Sequence, residues 1–110
     1  MKNIEALKKE IVERLRPVDP ESVILFGSYA YGKPDENSDI DLYVVTKDDY
    51  TPQSYHEKRK IVRRISRSLM DLRLKVGVDL MVHTYPMHKK FYALNSLFAK
   101  EIQEKGIRLL

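Results

Sequence analysis

The chain has 110 residues, 43% of them hydrophobic and 33% charged, with a formal net charge of +4 and no cysteine. That length and apolar share suit one domain around one modest core and exclude disordered and fibrous classes. The lack of Cys removes disulfides, thiolate metal sites and thiol nucleophiles, and no apolar run approaches the roughly 18 residues of a membrane span.

Asn3 to about Arg16 reads as an amphipathic helix, with Ile4, Leu7, Ile11 and Leu15 at helical spacing and Lys and Glu on the other face. These first residues hold no continuous apolar stretch, so no signal peptide is read and a soluble, cytoplasmic protein is expected. Pro17 and Pro20 break the helix. Ser22–Phe26 reads as a buried strand ending at Gly27, where the chain turns into a short helix. A loop through Gly32, Pro34, Asp35 and Asn37 leads to the strand Asp39–Thr46, with Ile40, Leu42 and Val44 on one face and Asp39, Asp41 and Tyr43 on the other. Thr51-Pro52 then resembles an N-cap with proline at the first helical position, opening a helix to about Leu74 that buries Ile61, Ile65, Leu69 and Leu72. Val78–Thr84 alternates again, setting Val78, Leu80 and Val82 opposite Asp79, Met81 and His83. One last helix is expected from Pro86 to Gly106, its Leu94, Leu97 and Phe98 side in the core, followed by a short strand at Ile107–Leu110. The order αββαβαβ predicts an α+β fold, a mixed sheet flanked by helices.

Charge is segregated along the chain. From Asp35 to Asp49 stand six acids (Asp35, Glu36, Asp39, Asp41, Asp48, Asp49) against Lys47 alone. From His56 to Lys75 stand eight bases (Lys58, Arg59, Lys60, Arg63, Arg64, Arg67, Arg73, Lys75) against Glu57 and Asp71. An acidic centre beside a basic helix suits a metal-bound polyphosphate, and equally a protein whose surface charges are merely segregated.

The informative spacing is Gly27-Ser28, ten residues, then Asp39-Ile40-Asp41. Glycine at the end of a buried strand lets a ligand approach the backbone, where free N–H groups and the Ser28 hydroxyl can hold phosphate oxygens. Asp39 and Asp41, two apart on a strand, point to one face about 6–7 Å apart and repel unless a cation lies between them. Hard oxygen ligands of this kind suit Mg²⁺ or Mn²⁺. Asp79 joins them if its strand neighbours Asp39–Thr46. Three carboxylates around two divalent ions suit in-line displacement at phosphorus. The bland alternative is a strand-entry cap, a solvated acid and a surface ion pair.

GSYAYG followed by SDIDLYVV, with Asp79 in a VDL context and the ending KGIRLL, resembles the minimal nucleotidyltransferases, single-domain members of the DNA polymerase β superfamily. The resemblance spans nearly the whole chain, so residues 1–110 are expected to form one nucleotidyltransferase domain. It implies transfer of a nucleoside monophosphate, AMP from ATP being the natural case, with two Mg²⁺ ions, or Mn²⁺, on Asp39, Asp41 and Asp79. It also implies a helical partner of the HEPN ribonuclease family, as in toxin–antitoxin pairs whose antitoxin adenylylates a tyrosine of that partner. Gly27, Ser28 and Ser38 are the expected nucleotide contacts. The family often has arginine where Tyr31 stands and sometimes where Tyr29 stands; Arg63, Arg64 or Arg67 would compensate if the basic helix flanks the pocket, and Arg63 and Arg67 join the expected nucleotide contacts.

Two rival readings accompany this one: an antitoxin that binds its partner or a nucleotide without catalysis, and a nucleic-acid binder through Arg59, Arg63 and Arg67. Direct nucleic-acid binding is the least favoured, and a homo-oligomer stays open. His83 shares the face of Asp79 and is assigned to packing, while His56 and His88 are read as exposed. Tyr29, Tyr31 and Tyr43 are assigned to packing, and Tyr50, Tyr55, Tyr85 and Tyr92 are weak candidates for self-modification. No GKS/T phosphate loop, GxGxxG turn or serine triad is present.

Overall fold

In the computed structural model, which describes residues 3–110, the first helix is α1, Ile4–Leu15. The Asn3 side chain caps it, accepting from the N–H groups of Glu5 (3.0 Å) and Ala6 (3.2 Å). A single turn at Arg16–Val18 and a left-handed Asp19 (φ 50°) redirect the chain into β1, Ser22–Phe26. The short α2, Ser28–Tyr31, follows Gly27 directly and precedes β2, Ile40–Val45. Next come α3 (Tyr55–Ser68), α4 (Met70–Arg73) and β3 (Val78–His83), then α5 (Tyr85–Ala93), α6 (Leu97–Lys105) and β4 (Ile107–Arg108).

The four strands form one mixed sheet in the order β3-β2-β1-β4. β1 is antiparallel to both β2 and β4, whereas β2 and β3 run parallel, their crossover carried by α3 and α4. The alternation read from the sequence gives the sheet two different faces. Ile40, Leu42 and Val44 of β2, with Val23, Leu25 and Val82, close the main core against Ile11 and Leu15 of α1 and Ile61, Ile65 and Leu69 of α3 and its end. Tyr43 and Val45 point the other way, into a smaller cluster with Ile102 of α6 and, at its margin, Phe26, Met81, Phe91 and Tyr92. No helix among the described residues is long and apolar enough to cross a membrane.

Two helices differ from the sequence expectation. The basic helix begins at Tyr55, because Ser54 rather than Thr51 caps it: the Ser54 hydroxyl accepts from Glu57 N–H (3.1 Å), and the Glu57 carboxylate reaches back to Gln53 N–H (2.7 Å). It also breaks at Leu69, so α4 is a separate turn. The expected helix from Pro86 to Gly106 is two helices. Asn95 takes a left-handed conformation (φ 54°), and the Ser96 hydroxyl caps α6 by accepting from Ala99 N–H (3.1 Å). This break turns the Leu94, Leu97 and Phe98 side outward. Leu94 is 71% and Leu97 85% exposed, Phe98 39%, while Ala99 and Ile102 are buried instead.

Candidate active site

The site grows from register. Because β2 and β3 are parallel with Asp41 opposite Asp79, both side chains leave the same sheet face from neighbouring strands. Ile40 N–H donates to the Gly77 carbonyl (2.8 Å), which sets Asp39 beside Gly77 at the mouth of the same face. On the other side of β2, Phe26 pairs with Asp41, so the turn at Gly27 opens next to the Asp41 carboxylate. Two glycines make room for two acids. A Cβ on Gly27 would stand 2.0 Å from Asp41 Oδ2, and one on Gly77 2.0 Å from Asp39 Oδ1. Gly27 also has φ 74°, a conformation that L side chains avoid.

Electrostatically the three acids feel one another. Burial pushes the Asp41 carboxyl up from its ordinary range, and the Asp79 charge, a proton shared with Asp79, and the Asp39 charge push the same way. Asp41 is half-buried, while Asp39 and Asp79 are exposed. Tyr31, at the end of α2, joins this corner. Burial raises its hydroxyl, backbone hydrogen bonding to Gly27 opposes this, and the charges of Glu101 and Asp41 add to the rise.

The other expected nucleotide contacts divide. Ser28 opens α2 immediately after Gly27. Ser38 is engaged in its own turn: its hydroxyl accepts from Asp35 N–H (2.9 Å) and donates to Asp35 Oδ1 (3.3 Å). Arg63 and Arg67 are not brought to the carboxylates. α3 packs Ile61 and Ile65 into the core on the Ile40 face, opposite to Asp41, and Arg63 lines a groove of about 420 Å³ along that helix with Tyr55, Lys58, Arg59, Val62 and Ser66. Arg64 is committed to Asp48 at 2.5 Å.

Behind the acids, on their own face, stands an aromatic cluster that the sequence reading only half found. The Tyr43 hydroxyl lies 3.1 Å from His83 Nδ1 and 2.8 Å from His88 Nδ1. A phenol has one proton, so it donates to one imidazole and accepts from the other. His83 packs as expected, its ring against Tyr43 and Phe91. Burial, then the charges of Lys58 and His88, hold it down at about 4. His88, read as exposed, is half-buried and also lowered by burial. The signal available was the strand period, since Tyr43 follows Asp41, and His83 follows Asp79, at even spacing. His88 comes in from α5, which strand alternation does not reach.

As a donor set, carboxylates over two glycine cradles fit a hard divalent cation. Among the described residues no three acidic or imidazole groups are placed to hold one ion by themselves. Asp41 and Asp79 are the pair close enough to share one, with Asp39 alongside. That matches Mg²⁺, which typically takes one or two carboxylates and fills its octahedron with water and substrate phosphate oxygens.

Against this geometry stand the comparisons with known proteins. Residues 4–108 match the model of the nucleotidyltransferase domain. A protein of Methanocaldococcus jannaschii named putative protein adenylyltransferase is 31% identical over 106 residues, covering 96% of this chain and 94% of its own. A crystal structure of a toxin–antitoxin with AMP-PNP aligns with 94% of this chain and 72% of its own, at 24% identity and a TM-score of 0.56. One of the MntA–HpeT toxin–antitoxin in mutant form covers 94% and 72% at 22% identity and a TM-score of 0.55. The resemblances seen in structure carry the fold and the matches in sequence carry the lineage: this chain belongs to the nucleotidyltransferase domain family.

Proposed function

We propose that the protein transfers a nucleoside monophosphate, AMP from ATP, to a hydroxyl on a partner protein, with Asp39, Asp41 and Asp79 as the acids that do so. The observation that carries this reading is the cross-strand Asp41–Asp79 pair, with Asp39 beside it, around a glycine turn that leaves the backbone open. Mg²⁺ is the cation these residues would hold, and bound there it would offset their mutual repulsion and the charge developing on the phosphoryl oxygens. Gly27 would let the phosphates approach β1, and the hydroxyl of Ser28, the first residue of α2, would donate to one of their oxygens. An acid of the Asp41–Asp79 pair can accept the proton of the hydroxyl as its oxygen bonds the α-phosphorus and the bond to the leaving pyrophosphate breaks.

The name of the Methanocaldococcus jannaschii relative supports a protein as acceptor. AMP-PNP in the toxin–antitoxin crystal supports an adenine nucleotide and a partner chain, for which a helical HEPN protein is our candidate. Such a reaction draws on ATP and belongs in the cytoplasm. The test is incubation with α-labelled ATP, Mg²⁺ and the product of the adjacent gene. Label on that protein with the wild type, and none with Asp41→Asn, is the expected outcome; equal labelling by both would overturn the assignment.

A second reading has one observation in its favour: Tyr31, not a cation, ends α2, within reach of the Asp41 charge. The protein would then neutralise its partner by contact alone. Protection of cells from the neighbouring toxin by the Asp39→Ala, Asp41→Ala double variant would decide for it.

A further inference from the structure

A nucleoside triphosphate brings several negative charges to a corner that already holds Asp39, Asp41 and Asp79, so a fixed cation is needed beside the ions. The basic helix α3 cannot supply it through Arg63, which lines the groove on the opposite layer, nor through Arg64, which is paired with Asp48. The antiparallel pairing of β1 with β4 offers another source. Leu25 opposes Ile107, so the residues just before Ile107, Lys105 and Gly106, run alongside those just after Leu25, Phe26 and Gly27. Gly106 packs against β1 closely enough that a Cβ there would stand 2.5 Å from Ile24 Cγ2. Lys105 is the last residue of α6. Its ammonium lies 5.7 Å from the centre of the Tyr31 ring, and it makes no ion pair among the described residues. Tyr31 in turn is anchored by its own N–H to the Gly27 carbonyl (3.1 Å), at the turn that opens beside Asp41.

We infer that Lys105 is the cation that receives the phosphate tail of the nucleotide beside the Gly27 turn, with the Tyr31 ring as the platform that holds its ammonium there. The inference rests on the nucleotidyl-transfer reading of the carboxylate site and adds to it a positioning group from the far end of the sequence. A lysine in the last turn of a helix also suits the helix dipole, but any cation at that end serves the dipole equally well. The phosphate role has a different signature, because it distinguishes a triphosphate from a monophosphate.

The experiment is a fluorescence titration of the full chain with a ribose-labelled ATP, and separately with the equally labelled AMP, in the presence of Mg²⁺. Lys105→Ala is expected to weaken ATP binding about tenfold, the scale of a charge-assisted hydrogen bond to phosphate, and to leave AMP binding unchanged. Lys105→Arg should restore ATP affinity. Lys100→Ala, five residues earlier and so about 140° around the same helix, should bind as the wild type does. Equal ATP affinity for wild type and Lys105→Ala overturns the inference while leaving the carboxylate reading intact. So does an equal loss for ATP and AMP, or a loss that follows Lys33→Ala in the loop after α2 instead. If the wild type binds neither nucleotide, the carboxylate reading falls first and the role of Lys105 with it.

Discussion

Gly27 does two things that no other residue can do at once. It adopts φ 74°, and it leaves free the space 2.0 Å from Asp41 Oδ2 that a Cβ would fill. Gly27→Ala should therefore lower stability by about 1–3 kcal/mol through backbone strain alone, seen as a fall in melting temperature, and should also displace the Asp41 carboxylate and abolish transfer. Gly77→Ala meets only the exposed Asp39 side chain and has no positive φ to strain, so its melting temperature should fall less than that of Gly27→Ala. Asp41 gives the opposite sign. Its carboxyl is raised in the folded protein by burial and by Asp79 and Asp39, so the ionised group opposes folding above the ordinary carboxylate range. Asp41→Asn should melt at a higher temperature than the wild type at neutral pH without divalent cations. That advantage should disappear as the pH falls below the ordinary carboxylate range, where both states of the wild type are protonated. A variant that is inactive yet more stable is the mark of a residue kept for function.

At the scale of elements, the strands were the most legible part of the sequence. Asp39–Thr46 and Val78–Thr84 alternate so regularly that the faces of Ile40, Asp41, Asp79 and Val82 follow from the strand period. The helix ends were not legible in the same way. Asn95 and Ser96 sit inside an apolar-polar pattern compatible with a continuous helix, and only the left-handed Asn95 and the Ser96 cap show that the pattern spans two. Two consequences are measurable by thermal melting. Ser96→Ala removes the hydroxyl that accepts from Ala99 N–H and should cost about 1 kcal/mol. Leu97→Asp, at a position 85% exposed, should stay within about 0.5 kcal/mol of the wild type, where a core leucine would cost several times more.

At the scale of the whole molecule, the sheet divides the chemistry from the bulk of the core. α1 and α3 cover one face, and the acids, Tyr43, His83 and His88 share the other. The acids were readable as candidates from spacing alone, but their convergence depended on β3 lying parallel to β2, a long-range pairing that no local pattern encodes. The layer that carries Arg63 and Arg67 was not legible for the same reason, since a run of charge says which side of a helix is wet and not which side of a sheet the helix covers. Because the acids converge only in the folded chain, a cation held by them should stabilise the whole molecule by linkage. Mg²⁺ at about 100 times its Kd should raise stability by about 2.7 kcal/mol, read as a shift in melting temperature. Asp79→Asn should lose most of that shift.

The parallel pairing of β2 and β3 also sets an order of assembly. β1 and β2 are antiparallel neighbours joined through α2 and one loop, so the Gly27–Asp41 half of the site closes over a short stretch of chain. Asp79 reaches Asp41 only after α3 and α4 have crossed the sheet, a closure with a larger entropic cost. The Gly27–Asp41 half is therefore favoured to form ahead of the acid that completes the pair. A chain whose β3 has not docked would carry an open glycine turn and a partly built carboxylate cluster, and nucleotidyl transfer would await the docking of β3 beside β2.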